Sequence, residues 1–149
     1  MKAKFSSLYI DIAHRVAELS VAKRLKVGAV VVKDDTVISY GYNGTPSGWD
    51  NNCENTVFFT DEGRQLLTPM LKTKPEVLHA ESNAIAKLAK SNNSGLDADI
   101  FITHAPCIEC AKLIFQSGIR KVYYAKDYRD DSGIKFLKKS KVEVVHLHK

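Results

Sequence analysis

His79, Glu81, Cys107 and Cys110 are the residues of this chain whose types and spacing could do chemistry. They stand in two short runs, His79-Ala80-Glu81 and Pro106-Cys107-Ile108-Glu109-Cys110. One imidazole and two thiolates supply three ligands to a tetrahedral zinc and leave the fourth position open to water, which is the arrangement of a catalytic site rather than a structural one. Glu81 does not fit that ligand set, because zinc held by two thiolates and an imidazole needs no hard oxygen donor. Its expected role is general acid and base, passing protons between water and substrate. The pattern therefore points to hydrolysis by a metal-activated water.

Helix starts must position these groups. Pro106 suits the opening of a helix, where its missing N–H costs nothing, and Cys107 and Cys110 then fall on one face. Unpaired amides and the positive end of the helix dipole favour the thiolate form, which is the form that binds metal. His79 opens a second helix carrying Ala80, Ala84, Ile85 and Leu88 at helical spacing. Two helices lying side by side on a sheet would bring the runs together despite their separation in sequence. Each feature alone has a plainer reading: two buried cysteines, a surface or partly buried histidine, an acid in a first helical turn. Their conjunction favours the metal. His14 and His104 lack the paired spacing, and His146 and His148 read as a solvated terminal alternation. Cys53 has no Cys or His neighbour and is expected to be a free thiol.

The remaining pattern supplies a frame for those helices. Residues 5–19 read as an amphipathic helix, and the β-branched runs 27–32 and 37–42 read as an antiparallel hairpin around Asp34-Asp35. The second run ends at Gly41-Tyr42-Asn43-Gly44, a place to present a side chain. Residues 45–78 are expected to be a loop-rich insertion near the active or a regulatory site, with a short helix over 61–67 before Pro69. Helices are then expected over 79–89, 107–116 and 131–138, and strands over 100–103, 121–125 and 142–147. This alternation predicts a single α/β domain over 1–149, a sandwich with a mixed or partly parallel sheet covered by helices.

A chain of 149 residues, 44% hydrophobic and 26% charged, is large enough for one continuous core. Three cysteines, two of them at zinc spacing, imply a reducing cytoplasm rather than a disulfide framework. The start, Met1-Lys2-Ala3-Lys4-Phe5, lacks the apolar run of a signal peptide, and no stretch is apolar for long enough to cross a membrane. The net charge of +5, from 22 basic and 17 acidic side chains, is diffuse. It favours anionic partners without choosing between a mononucleotide and a polymer.

Taken together, the motifs resemble those of the cytidine and deoxycytidylate deaminase superfamily, and within it the zinc-dependent deoxycytidylate deaminases, virus-encoded members included. The resemblance runs from about Leu8 to Leu147. It rests on Val27-Gly28-Ala29-Val30-Val31-Val32, Gly41-Tyr42-Asn43-Gly44-Thr45-Pro46-Ser47-Gly48, Asn52-Cys53, His79-Ala80-Glu81-Ser82-Asn83-Ala84-Ile85, Pro106-Cys107-Ile108-Glu109-Cys110-Ala111-Lys112 and Ser117-Gly118-Ile119. The metal signature specifies the superfamily, whereas Gly-Tyr-Asn-Gly-Thr-Pro and the Asn-rich loop point to the deoxycytidylate branch.

The resemblance implies a three-layer cytidine-deaminase-like α/β sandwich with a central five-stranded mixed sheet flanked by helices. It implies hydrolysis of dCMP to dUMP and ammonia, supplying dUMP for thymidine nucleotide synthesis. It further implies a homo-oligomer, hexamer favoured, activated by dCTP and inhibited by dTTP with Mg2+, in the cytoplasm or, for a virus-encoded member, the host cytoplasm. His79, Cys107 and Cys110 match the Zn2+ ligands, Glu81 the proton shuttle, and Asn43 a contact to sugar and base. Backbone at Ala80 and Ala105 would meet the base edge. Ser20, Arg24, Lys26 and Thr45 would lie near a phosphate, of substrate or of regulator, with Tyr128 lining the pocket. Lys23, Arg24 and Lys26 read equally well as solvated charges. His104 is a candidate pocket wall, and Val77 and Leu78 stand where some virus-encoded relatives place histidines for a second zinc, which is not expected here.

Two other functions compete with that reading. A nucleic-acid deaminase would use the same atoms on a flipped base but needs a long basic or aromatic path, whereas Phe58-Phe59 and Tyr123-Tyr124 are isolated pairs of a kind that usually pack. A non-catalytic zinc-stabilised binding protein would keep the metal and have no use for Glu81.

Overall fold

Strand-forming runs and amphipathic helices alternate along the chain, and the fold follows from stacking them in layers. The computed structural model describes residues 1–60 and 66–148. Helix α1 (Ala3–Ala17) is followed by strands β1 (Gly28–Lys33), β2 (Thr36–Tyr42), β3 (Glu54–Thr60) and β4 (Leu66–Thr73). Then come α2 (Ala80–Ala89), β5 (Asp99–His104), α3 (Ile108–Gln116), β6 (Lys121–Lys126), α4 (Ser132–Lys139) and β7 (Glu143–His146). The main sheet has five strands in the order β2-β1-β5-β6-β7, and β3 pairs with β4 in a separate two-stranded sheet. β1 runs antiparallel to both β2 and β5, whereas β5, β6 and β7 are parallel, so the sheet is mixed.

Both faces of the sheet are covered, which is why β1 and β5 read as nearly continuous apolar runs instead of alternating with polar residues. Val30, Val32, Phe101 and Tyr123 meet Tyr9, Ile10, Ala13 and Val16 of α1 on one face. Phe101 and Tyr123 stack there at 4.4 Å between ring centroids. On the opposite face Ala29, Val31, Ile100, Ile102 and Val122 meet residues of the other three helices, including Ala84, Leu88, Ile114 and Leu137. Helix, sheet and helices form the three layers. Among the described residues no helix is long and apolar enough to cross a membrane.

The β1–β2 turn uses Asp34 and Asp35 at φ values of 51° and 56°. Two successive left-handed residues make the tight turn whose twist suits a hairpin, and short polar side chains tolerate it. The Tyr9 hydroxyl donates to Asp35 O at 2.9 Å and ties this turn to α1.

The segment 45–78 differs from its expected loop-rich form. Glu54 pairs with Thr73 and Phe58 with Pro69 across an antiparallel ribbon. Residues 61–65 of the expected helix lie outside the described residues, and Leu66 and Leu67 belong to β4. Pro69 suggested a helix stop, yet each strand of a two-stranded ribbon is an edge, where proline's missing N–H need not cost a ladder bond. Of the aromatic pairs expected to pack, Tyr123 is buried in the core, but Phe58 on the ribbon is exposed.

Candidate active site

Three strand ends meet around the carboxyl end of β5. His104 pairs with Lys126 at the carboxyl ends of β5 and β6, and the start of β1 is held there by Gly28 N–H donating to Thr103 Oγ1 at 3.2 Å. Helices α2 and α3 begin at this same edge, so their first turns face a common space.

His79 is the N-cap of α2, in extended conformation. It follows a β-bridge in which Leu78 N–H donates to Gly44 O at 2.8 Å and Gly44 N–H donates to Leu78 O at 3.1 Å. Asn83 Nδ2 donates to Tyr42 O at 2.8 Å and Ser39 Oγ donates to Ala84 O at 2.7 Å, tying α2 along β2. Gly41 makes this close approach possible: a Cβ there would overlap Ala80 O and lie 2.6 Å from Ala84 N. Glu81, in the first turn of α2, is thereby carried inward to 5% exposure.

Cys107 is the N-cap of α3, and Cys110 sits one turn on, 2% exposed. Pro106 stands immediately before the cap, fully buried, at the opening of the helix as expected. Helix α4 presses on this corner through Gly133, where a Cβ would overlap Pro106 O and lie 2.9 Å from Cys107 C.

His79 Nδ1 lies 3.5 Å from Cys107 Sγ and 3.3 Å from Cys110 Sγ, and all three ligand atoms fall within 4.8 Å of one another. Zinc with bonds of about 2.05 Å to nitrogen and about 2.3 Å to sulfur at a tetrahedral angle separates N from S by roughly 3.6 Å. The donor set therefore fits a Zn2+ ion in both chemistry and spacing.

The electrostatics of the corner agree. Hydrogen bonding from the Cys110 thiol, aided by His79 and opposed by burial, brings Cys107 down to about 4. Cys110 is pushed up by its interaction with Cys107 and by burial, so it holds its thiol proton more tightly than a free cysteine does. A metal must displace that proton. His79 is raised, chiefly by its hydrogen bond with Cys107. Glu81 is raised by burial, with His79 acting in the opposite direction. A carboxyl held above its usual range and close to a cation site is suited to taking and returning protons near neutrality.

A cavity of about 460 Å³ opens over this corner. Of the residues expected in the site, Arg24, Asn43, His79, Ala80, Glu81, Ala105, Cys107 and Tyr128 line it, as does His104. Cys110 stands behind the wall. Ser20, Lys26 and Thr45 do not line the cavity. The Ser20 hydroxyl is 2% exposed, donates to Asn43 O at 2.8 Å and accepts from Ala22 N–H at 3.2 Å, so it fixes the loop rather than facing a ligand. Thr45 Oγ1 donates to Asp50 O at 2.6 Å, and Lys26 is an exposed side chain outside the wall.

Asn43 carries a double duty. Its Oδ1 accepts from Val27 N–H at 2.9 Å and its Nδ2 donates to Leu25 O at 2.8 Å. One amide hydrogen and one lone pair remain for a ligand. Arg24 is also tethered: the buried Glu54 carboxylate accepts its backbone N–H and that of Lys23, both at 3.0 Å, and Arg24 Nη1 donates to Thr73 Oγ1 at 3.3 Å.

Sequence reasoning missed Glu54, Thr73, Lys126, Asp127 and Arg129, all of which line the cavity. Glu54 and Thr73 come from the unforeseen ribbon. Lys126 to Arg129 follow the carboxyl end of β6, where ligands of open α/β sheets bind, and that rule was the available signal. Cys53 is a buried free thiol, its pKa raised by burial, as expected for a lone cysteine. His146 is half-buried rather than solvated, stacked at 4.6 Å on Tyr124, with Nε2 2.9 Å from Ala125 O.

Comparison with known proteins gives a consistent picture. Residues 3–126 match the family described as the cytidine and deoxycytidylate deaminase zinc-binding region. The deoxycytidylate deaminase of enterobacteria phage T4 is 32% identical over 83% of this chain and 78% of its own length. ComE operon protein 2 of Bacillus subtilis is 36% identical over 86% of this chain, which spans 62% of that relative's length. A crystal structure of dCMP deaminase from the cyanophage S-TIM5, in complex with dCMP and dUMP, superposes with a TM-score of 0.86 at 41% identity, covering 99% of both chains. The five-stranded mixed sheet, the His–Cys–Cys corner and the family match over residues 3–126 agree, and the chain belongs to the cytidine and deoxycytidylate deaminase family.

Proposed function

We propose that this protein hydrolyses dCMP to dUMP and ammonia, with His79, Cys107 and Cys110 holding a catalytic zinc and Glu81 carrying the protons. The observation that carries this reading is a buried carboxyl, Glu81, two residues from a histidine whose Nδ1 lies 3.3 and 3.5 Å from two cysteine sulfurs at the floor of the cavity. Similarity to deoxycytidylate deaminases of phages T4 and S-TIM5 supports the choice of substrate.

When bound, zinc would supply Lewis acidity that makes a water nucleophilic near neutral pH. Glu81 takes a proton from the attacking water and delivers it to ring N3 of the cytosine. It then takes the proton of the new C4 hydroxyl and passes it to the 4-amino group as the C4–N bond breaks, so a carbonyl forms at C4 and ammonia leaves. Burial of Glu81 shields its carboxyl, and the bonds from Ser39 and Asn83 that tie α2 along β2 keep its backbone in place. Asn43 offers its remaining N–H and lone pair to the sugar and base, backbone at Ala80 and Ala105 meets the base edge, and Tyr128 borders the pocket. Arg24 lies on the phosphate side. On the resemblance of the sequence, the active form is a cytoplasmic homo-oligomer, hexamer favoured, that dCTP activates and dTTP inhibits with Mg2+.

Ammonia release from the zinc-loaded protein, measured with dCMP, deoxycytidine, CMP and a cytosine-bearing DNA oligonucleotide, with and without magnesium-dCTP, tests the reading. Turnover confined mainly to dCMP is expected. No dCMP turnover under activated conditions would reject it, and turnover of the oligonucleotide alone would assign the site to polymeric substrates.

A further inference from the structure

With Ser20, Lys26 and Thr45 outside the cavity wall, the lysines and arginines that line it among the described residues are Arg24, Lys126 and Arg129. They come from both sides of β5. Arg24 lies in the loop before β1, and Lys126 and Arg129 lie at and beyond the end of β6, while β1 and β6 are the two neighbours of β5 in the sheet. A ligand whose base reaches Glu81 shares its cavity with these cations.

The three cations are not equally available. Arg24 is bound to Thr73 through its guanidinium and to Glu54 through its backbone. Lys126 lies close enough to His104 to hold that imidazole below its usual range, after burial, and presents only a point charge. Arg129 is exposed and, among the described residues, enters no ion pair. The adjacent acid, Asp130, is held below its usual range chiefly by its hydrogen bonds with Ser132 and further by Arg129, yet no ion pair joins the two among the described residues. Asp127 lies beside the Tyr124 hydroxyl and adds to the rise that burial causes there, and Asp130 accepts Ser132 N–H at 2.9 Å at the start of α4. The Arg129 guanidinium lies 5.8 Å from the Tyr128 ring centroid, so a cavity-lining aromatic braces it. Its loop is also registered to the metal corner, because Gly133 abuts Pro106 and Cys107.

We propose that Arg129 is the specificity-determining residue for the 5′-phosphate, its planar fork taking two phosphate oxygens at the cavity mouth and so favouring a nucleotide over a nucleoside. The inference rests on the deaminase reading above and deepens it. A guanidinium matches a phosphate in a two-bond geometry that an ammonium cannot reproduce.

The test compares zinc-loaded wild type, Arg129→Gln and Arg129→Lys with dCMP and deoxycytidine as substrates, and with dUMP and deoxyuridine as calorimetric ligands. The ratio of kcat/KM for dCMP to that for deoxycytidine should fall about 10- to 100-fold in Arg129→Gln, the loss expected when charge-assisted bonds are removed. Arg129→Lys should recover part of it, and the dUMP to deoxyuridine affinity ratio should fall in parallel at equal zinc content. Ratios that match wild type in both measurements would overturn the role of Arg129 while leaving the deaminase reading intact. A wild type that deaminates neither substrate overturns the deaminase reading instead. A wild type acting only on a cytosine-bearing oligonucleotide would place the phosphate contact on a polymer and overturn the mononucleotide assignment.

Discussion

At the cavity floor, every reactive group belongs to the first turn or cap of a helix clamped to the sheet: Glu81 and Cys110 are almost wholly buried, and His79 and Cys107 are N-caps. At the mouth, Arg24, Lys126 and Arg129 are exposed side chains on loops or a strand end. The contrast separates two kinds of requirement. Metal ligation and proton transfer demand placement within a few tenths of an ångström, which rigid elements supply. Recognition of a charged group at the rim tolerates adjustment and tunes affinity, so the same floor can serve different substrates when the mouth changes.

The sharpest way to break this comparison is to attack the floor. Cys110→Ser should reduce zinc stoichiometry to near zero and abolish turnover, since a buried hydroxyl is a poor replacement for a thiolate; elemental analysis beside an ammonia assay reads both. Next, Glu81→Gln should retain zinc yet lower kcat by about 10²- to 10⁴-fold, the range of positioned acid–base catalysis. Equal zinc loss in the two variants would erase the distinction between ligand and proton carrier.

A smaller effect is expected where floor and mouth are joined. Gly133→Ala forces a methyl onto Pro106 O and should cost about 1–3 kcal/mol of stability by overpacking, measured as a shift in denaturant midpoint at fixed zinc. A midpoint equal to that of wild type would show that α4 can slide and that the corner is less rigid than drawn here.

The smallest effect concerns the wall between the two regions. His104 is half-buried, and burial, with Lys126 and His14 adding repulsion, holds its pKa below the usual value. The unfolded chain then takes up the proton first as pH falls, so stability should drop below about pH 6.5 and level off once the folded form also protonates. Chemical denaturation of wild type and His104→Gln between pH 7.5 and pH 5 should show a shallower decline in the variant; parallel curves would remove His104 from the account.

Much of this architecture was legible in the sequence because local signals and tertiary demands coincide. Helical spacing of Leu8, Ile12, Val16 and Leu19 marks α1, although Leu8 and Leu19 are exposed and the buried face is carried by Tyr9, Ile10, Ala13 and Val16; the uninterrupted run from Ala29 to Val32 marks a strand. The metal corner was legible because its residues are tied to helix starts, which carry their own chemistry. The β3–β4 ribbon was not, since Pro69 and the polar residues around Asn51 and Asn52 signal breaks while cross-strand pairing leaves no periodic trace in so short a span. Glu54 and Thr73 were lost with it. The family resemblance puts Ser20 and Thr45 near a phosphate, yet hydroxyls are as readily engaged by nearby carbonyls, and only the fold decides. Arg129 had no motif at all; its relevance arises when β6 is set beside β5.

The Asn43 carboxamide is, finally, a polarised reader. With Val27 N–H fixed on its oxygen and Leu25 O fixed on its nitrogen, the two ends of the amide cannot exchange. The edge turned to the cavity therefore has a permanent sense, acceptor on one side and donor on the other. A hydroxyl can satisfy both at once, whereas a group that only donates or only accepts leaves one of them idle. An aspartate in its place would retain the shape and erase that sense of direction, because Leu25 O would face an oxygen and lose its donor.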